Sequence, residues 1–255
     1  TFLGYGKSLK EDFIFKNTDN VSLQLDFELG QETYTPRELF ETDFNQLERP
    51  YAGYLFVSGA ITRVKASSLW ELKAEIGLAG PQSLAGEVQV AYHRLINEFI
   101  PSWSGEIANS IHFNGYGSYV KSFQKEQNWF FDLKSTAALG TRQIYIEQEG
   151  LLFLGKRDGI ATSSFYNRIG TQNEFYGYAG LSFRAVNLNA LIQGNPLGDA
   201  SPFTLPIVHY IGGAKIGAAL RRGRNTFDVQ YVTQTKETFR EGQLHYASFV
   251  FKRVF

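Results

Sequence analysis

Val21-Ser22-Leu23-Gln24-Leu25-Asp26-Phe27-Glu28-Leu29 alternates without a break, apolar at every odd position and hydroxyl, amide or carboxylate at every even one. Side chains of an extended strand point to opposite faces with a period of two, so this segment has one wholly apolar face and one polar face. Such a strand separates two different surroundings. Residues 68–78 repeat the pattern, with Trp70, Leu72, Ala74, Ile76 and Leu78 opposite Glu71, Lys73 and Glu75. Phe227, Val229 and Tyr231 likewise oppose Asp228 and Gln230.

The same reading extends over 51–64, 107–123, 128–140, 143–155, 175–188 and 207–220, with glycines such as Gly115, Gly117, Gly177, Gly180, Gly212 and Gly213 inside the strand patterns. In a curved wall, glycines relieve crowding at bends. Asn195-Pro196-Leu197-Gly198 and Arg222-Gly223-Arg224-Asn225 punctuate the runs as turns. The count is about ten to twelve strands of bilayer-crossing length, and bacterial barrels with even strand numbers favour about twelve. The expectation is an all-β fold, a transmembrane antiparallel barrel forming one domain over 1–255. Leu23, Leu25, Phe27, Trp70, Leu72 and Ile76 would face lipid, and Gln24, Asp26, Glu71 and Lys73 the interior. A two-sheet sandwich carries the same alternation but buries its apolar rows against a second sheet.

Composition narrows the classes. The net charge is zero, so no basic footprint for nucleic acid is present. Cysteine is absent, which removes disulfides, thiolate chemistry and cysteine-based zinc sites. Methionine is absent too, as expected of a chain whose leader has been removed. Mean hydropathy is −0.23, and no apolar run approaches the ~18 residues of a membrane helix. Aromatic residues nevertheless make up 15% of the chain, which suits the girdles of a membrane barrel. The chain ends Phe249-Val250-Phe251-Lys252-Arg253-Val254-Phe255. This resembles the aromatic final strand of outer-membrane barrels, with Arg253 as a departure.

One stretch breaks the alternation: Gly80-Pro81-Gln82-Ser83-Leu84 and onward to Trp103. Gly80-Pro81 stops the preceding strand, and Ser83 is placed to cap a helix over about 83–97. Leu84, Val88, Ala91, Leu95 and Ile96 share an apolar side. Gln89, His93 and Asn97 fall at i, i+4 and i+8, a stripe of amide, imidazole and amide, with Glu98 just past the end. Histidine suits general-base work near neutral pH, and a nearby carboxylate can orient it. A lone histidine on a helix is more often structural. His112, His209 and His245 lie in strand patterns, and no nucleophile elbow, His-Glu-x-x-His or phosphate loop occurs.

The block Gly80-Pro81 followed by Gln89-Val90-Ala91-Tyr92-His93-Arg94 resembles the helix-bearing motif of the lipid A 3′-O-deacylase family. Tyr34-Thr35-Pro36, Arg49-Pro50-Tyr51-Ala52-Gly53 and Trp103 resemble further family blocks, and the likeness covers nearly the whole chain. The resemblance implies a twelve-stranded outer-membrane barrel that hydrolyses, with Ca²⁺, the ester holding the 3′ acyloxyacyl group of lipid A in lipopolysaccharide. His93 would be the base, Gln89 would position substrate or imidazole, and Glu98 would join the cluster as a candidate metal ligand. Thr1 would stand for the family threonine that meets substrate. The family's Asn-Asp pair on a first strand has no counterpart in this sequence, which opens at Thr1, so either a strand is missing before residue 1 or the site is incomplete. The family lysine is missing between Tyr34 and Arg49, and Glu106 replaces a usual glutamine. These departures keep open a second class of function, a catalytically silent barrel serving as scaffold or partner-binding subunit of an envelope complex. A small pore, the third reading, needs an open lumen.

Overall fold

A computed structural model describes residues 2–9, 21–39, 41, 43–126 and 128–255. Eleven strands follow in chain order: β1 (Phe2–Leu9), β2 (Val21–Tyr34), β3 (Ala52–Lys65), β4 (Ser68–Ala79), β5 (Ser110–Glu126), β6 (Trp129–Gly140), β7 (Gln143–Lys156), β8 (Glu174–Asn189), β9 (Tyr210–Arg222), β10 (Asn225–Gln234) and β11 (Leu244–Arg253). Each pairs antiparallel with the next in one sheet, in the order of the sequence. Helix α1 (Ala85–Leu95) and the short α2 (Ala190–Gln193) lie in connections. This is the all-β meander that the alternation implies, with eleven strands described where about twelve were expected.

The sheet curls around its own loops. Residues 157–173 fill one end of the interior: Arg168 donates to Ser22 of β2, Tyr166 to Asp132 of β6, and Lys252 of β11 to the Ser164 carbonyl. At the other end, Arg49 pairs with Glu237 and Glu241, and Arg240 donates to the carbonyls of Asn45 and Leu47. There Leu47, Tyr51, Ile192, Phe203, Leu205 and Ile207 pack into an apolar plug over the mouth. Both ends are therefore stoppered by the chain itself, which argues against the open lumen of a pore.

Exposure decides between barrel and sandwich. Phe27 (57%), Leu72 (64%), Leu181 (72%) and Ile216 (63%) stand open on the outer face, while their polar neighbours Gln24, Glu75, Asp132 and Asp228 are buried inside. An apolar surface of that extent fits a bilayer and not water. Leu23, at the end of its row, is covered instead (1%). Inside, charges are paired or hydrogen-bonded, as burial requires: Tyr54 and Tyr116 both donate to Glu75 at 3.0 Å, Lys215 meets Glu149 at 2.7 Å, and Arg157 meets Asp132 at 2.6 Å.

Connections 66–67 and 223–224 at one end are tight turns and 157–173 there folds into the interior, whereas at the other end 35–51, 80–109, 190–209 and 235–243 are long and 141–142 is short. Membrane barrels keep short turns on the periplasmic side and long loops outside. The end bearing α1 is therefore the outer rim.

Candidate functional site

Gly80 makes the exit from β4 possible. Its φ is +82°, and a Cβ there would stand 2.7 Å from the Ala108 backbone carbon and the Ile107 carbonyl oxygen, so no other residue fits without strain. Pro81–Ser83 form a 3-10 turn, and Leu84 takes a left-handed conformation before α1 begins at Ala85. Ser83 is thus not the helix's first cap, as its position in the sequence suggests. It sits in the preceding turn, where its hydroxyl still accepts from the Ala85 amide at 3.3 Å. The helix ends at Leu95, short of Asn97, which adopts positive φ.

Two contacts fix the helix to the outer wall. Gln31, the first polar residue in the outward row Leu25, Phe27, Leu29, donates to the Ser83 carbonyl at 2.7 Å. Gly53 of β3 lets Ser83 and Ala85 come so close that an added Cβ would stand 2.0 Å from the Ser83 hydroxyl. Ala85 is fully buried against this wall, and Gln89 and His93, one and two turns on, are half-buried on the same side. Leu84, Val88, Tyr92, Leu95 and Ile96 are exposed. The helix turns its polar stripe to the barrel and its apolar side outward, the reverse of a helix covering a soluble core.

Gln89 Oε1 accepts from Trp103 Nε1 at 2.9 Å, which leaves the amide Nε2–H as a donor. Trp103 itself packs on Tyr51, ring centres 5.2 Å apart, tying the helix to the plug. His93 Nδ1 hydrogen-bonds the Phe99 carbonyl oxygen. A carbonyl only accepts, so the proton belongs on Nδ1 and the Nε2 lone pair is the basic one. Glu98 is exposed, and its amide donates to the His93 carbonyl at 2.9 Å. Among the described residues no hydrogen bond or ion pair joins the Glu98 carboxylate to the imidazole. Gln89 and His93 therefore share one face, while Glu98 stands apart. Thr1 lies outside the described residues.

Glu106, where the resemblance expects glutamine, holds one carboxylate oxygen buried without a hydrogen-bond partner. Burial pushes its pKa up to about 7, and the nearby Glu87 carboxylate of α1 adds to the shift. Among the described residues no group of three or more His, Asp or Glu stands close enough to hold a metal. Ca²⁺ takes about six to eight oxygen ligands, backbone carbonyls and waters among them, so the carboxylates near α1 would supply at most part of its shell. Gln31, Glu87 and the Phe99 carbonyl were not picked out from sequence. Only Gln31 left a signal there, as a polar break in an apolar row.

Residues 4–255 match the family model for outer membrane protein LpxR. The chain belongs to that family. Its fold also matches a solved structure of LpxR from Salmonella typhimurium, with a TM-score of 0.83 at 19% identity, covering 100% of this chain and 88% of that one. At that identity the likeness speaks for the fold. No curated protein matches the sequence. Membership in the LpxR family places the chain in the outer membrane and bears out the resemblance read from Gly80-Pro81 and the Gln89–Arg94 block.

Proposed function

We propose that the chain is an outer-membrane lipid A deacylase in which His93 activates water for hydrolysis of the 3′ acyl ester. The observation that carries the reading is the orientation of α1, with Gln89 and His93 facing the barrel's outer wall and the apolar ridge facing out. A lipid ester presented at the outer rim meets that stripe without leaving the membrane surface.

In this reading, His93 Nε2 removes a proton from water as its oxygen attacks the ester carbonyl. The Phe99 carbonyl holds the ring in the needed tautomer and stabilises the imidazolium that forms. The Gln89 Nε2–H, free because Trp103 occupies its Oε1, donates to the oxygen that gains charge. Collapse returns the proton from His93 to the departing alkoxide, giving a free fatty acid and an alcohol on lipid A. Calcium enters the proposal through the family resemblance alone, and chelation during the assay tests it.

The test compares the full-length protein with His93→Ala and His93→Gln on native outer membranes, reading lipid A by mass spectrometry. Loss of the acyloxyacyl mass should fall by about 10²–10⁴-fold in both variants, with the heat-resistant barrel intact. Unmodified lipid A with the wild-type protein removes the enzyme and leaves the scaffold reading.

A further inference from the structure

The outer wall is not evenly studded. Across β3 to β6 the register sets Gly59 beside Ala74, Ala74 beside Gly115, and Gly117 beside Ala137, all pointing outward. They floor an apolar furrow of about 660 Å³. Phe27 and Leu139 close its two ends in the same register row, and Ile61 and Leu72 form one bank. From Phe27 to Leu139 is four strand spacings, roughly 19 Å at about 4.8 Å each.

Packing does not demand this depression. A Cβ at Gly59 would meet Phe27 at 3.7 Å, one at Gly115 the Leu139 carbonyl at 3.8 Å, and one at Gly117 the Leu72 side chain at 3.8 Å, all ordinary contacts. On the inner face of the same strands glycines are forced: a Cβ at Gly77 would stand 2.4 Å from the Tyr54 ring, and one at Gly30 2.3 Å from Phe56. Larger side chains would fit along the furrow, yet the surface stays hollow.

The furrow is continuous with the bilayer-facing wall, so its occupant lies within hydrocarbon. It slants from mid-strand on β3 and β4 into the outer-rim half of β5 and β6, on the side of the sheet where α1 packs on β2 and β3. We propose that it seats one acyl chain of the lipid A molecule whose ester is offered to α1. The identity of the lipid rests on the deacylase reading, whereas the seat for a chain rests on the furrow. A chain in this hollow makes dispersion contacts with its floor and with the Ile61–Leu72 bank, where a convex wall offers contacts on one side only.

The experiment uses the full-length protein in vesicles containing lipid A with a photoreactive diazirine on an acyl chain, and in parallel a phospholipid carrying the same group. Crosslinked peptides are mapped by mass spectrometry for wild type and for a Gly115→Leu/Gly117→Leu variant. Lipid A should label the segments around Ala74, Gly115 and Ala137 several-fold more than the outward row Phe227 and Val229 of β10. Filling the hollow should remove that excess, and the available space lets the variant keep its heat-resistant barrel. Even labelling around the wall, labelling unchanged in the filled variant, or equal labelling by phospholipid overturns the proposal. Because the chain has no cysteine, Ala74→Cys also tests for a second copy on the furrow, and an oxidised dimer at native density would overturn it. A labelled furrow without hydrolysis sinks the enzyme reading alone, and hydrolysis without furrow labelling sinks the furrow alone.

Discussion

The barrel interior and the outer rim at α1 hold the same kinds of side chain and treat them in opposite ways. Inside, Asp132 takes hydrogen bonds from Ser122, Tyr166 and Arg157, and both members of the Arg157–Asp132 pair are fully buried. Arg221 is bound in the same manner by Asp158 and Glu174. At the rim, among the described residues, Gln89 meets Trp103, His93 meets the Phe99 carbonyl, and one buried oxygen of Glu106 meets no donor. Interior guanidiniums also leave nitrogens without a partner, Arg157 Nε and Arg168 Nη1 among them, but each is anchored by several other hydrogen bonds. A side chain held that way supports structure, and one with a single partner or none can meet a substrate. The difference points away from the charged lumen, although the lumen carries far more titratable groups.

Asp132→Ala presses that comparison hardest. It strands the Arg157 guanidinium in a dry interior, and breaking a buried pair on one side costs about 3–5 kcal/mol. Urea unfolding in lipid should show that loss, while deacylation per folded molecule stays close to wild type. His93→Ala should do the reverse, sparing stability and removing activity. If Asp132→Ala cuts turnover of the folded protein as deeply as His93→Ala, the division between interior and rim fails.

What the sequence made legible follows the same division. Period-two alternation is a local signal, so β2, β4 and β10 could be read directly, and with them the inward and outward rows. The helix too was visible, because Gly80-Pro81 and the four-residue spacing of Gln89 and His93 are local. Its facing was not. Leu84, Val88 and Leu95 look in sequence like the buried side of a helix, and only the membrane outside reverses that reading. Glu98 lies near His93 along the chain, but the turn after Leu95, with Asn97 at positive φ, carries it away from the ring's hydrogen bond to Phe99. The Glu87–Glu106 proximity joins the helix to the far end of its own connection, and nothing in the spacing announces it.

A smaller effect sharpens the rim side. Trp103→Phe keeps the aromatic contact with Tyr51 but removes the Nε1 donor to Gln89. A neutral hydrogen bond of this kind contributes about 0.5–1.5 kcal/mol, so turnover should fall roughly two- to tenfold if Gln89 must be held in place for catalysis. Barrel stability should hardly move. Unchanged turnover would mean that Gln89 needs no such support.

The smallest expected effect is a pH dependence, and it belongs to the rim because Glu106 lies there. An ordinary glutamate has a pKa near 4.5, and burial beside Glu87 pushes this one up to about 7. Between those two values the folded loop binds a proton that the unfolded chain has lost. Its stability therefore falls as pH rises from about 4.5 to about 7 and levels off above that. Below this window the neutral carboxyl is accommodated, and above it a charge with an unpartnered buried oxygen strains the segment that carries Trp103. The emission of Trp103, isolated by Trp70→Phe and Trp129→Phe, should shift with a midpoint near 7. Glu106→Gln, the residue the family resemblance expects there, should flatten the curve while leaving the high-stability interior untouched. A flat emission curve with Glu106 in place would mean that the loop does not feel its charge, and the rim would then be as well satisfied as the lumen.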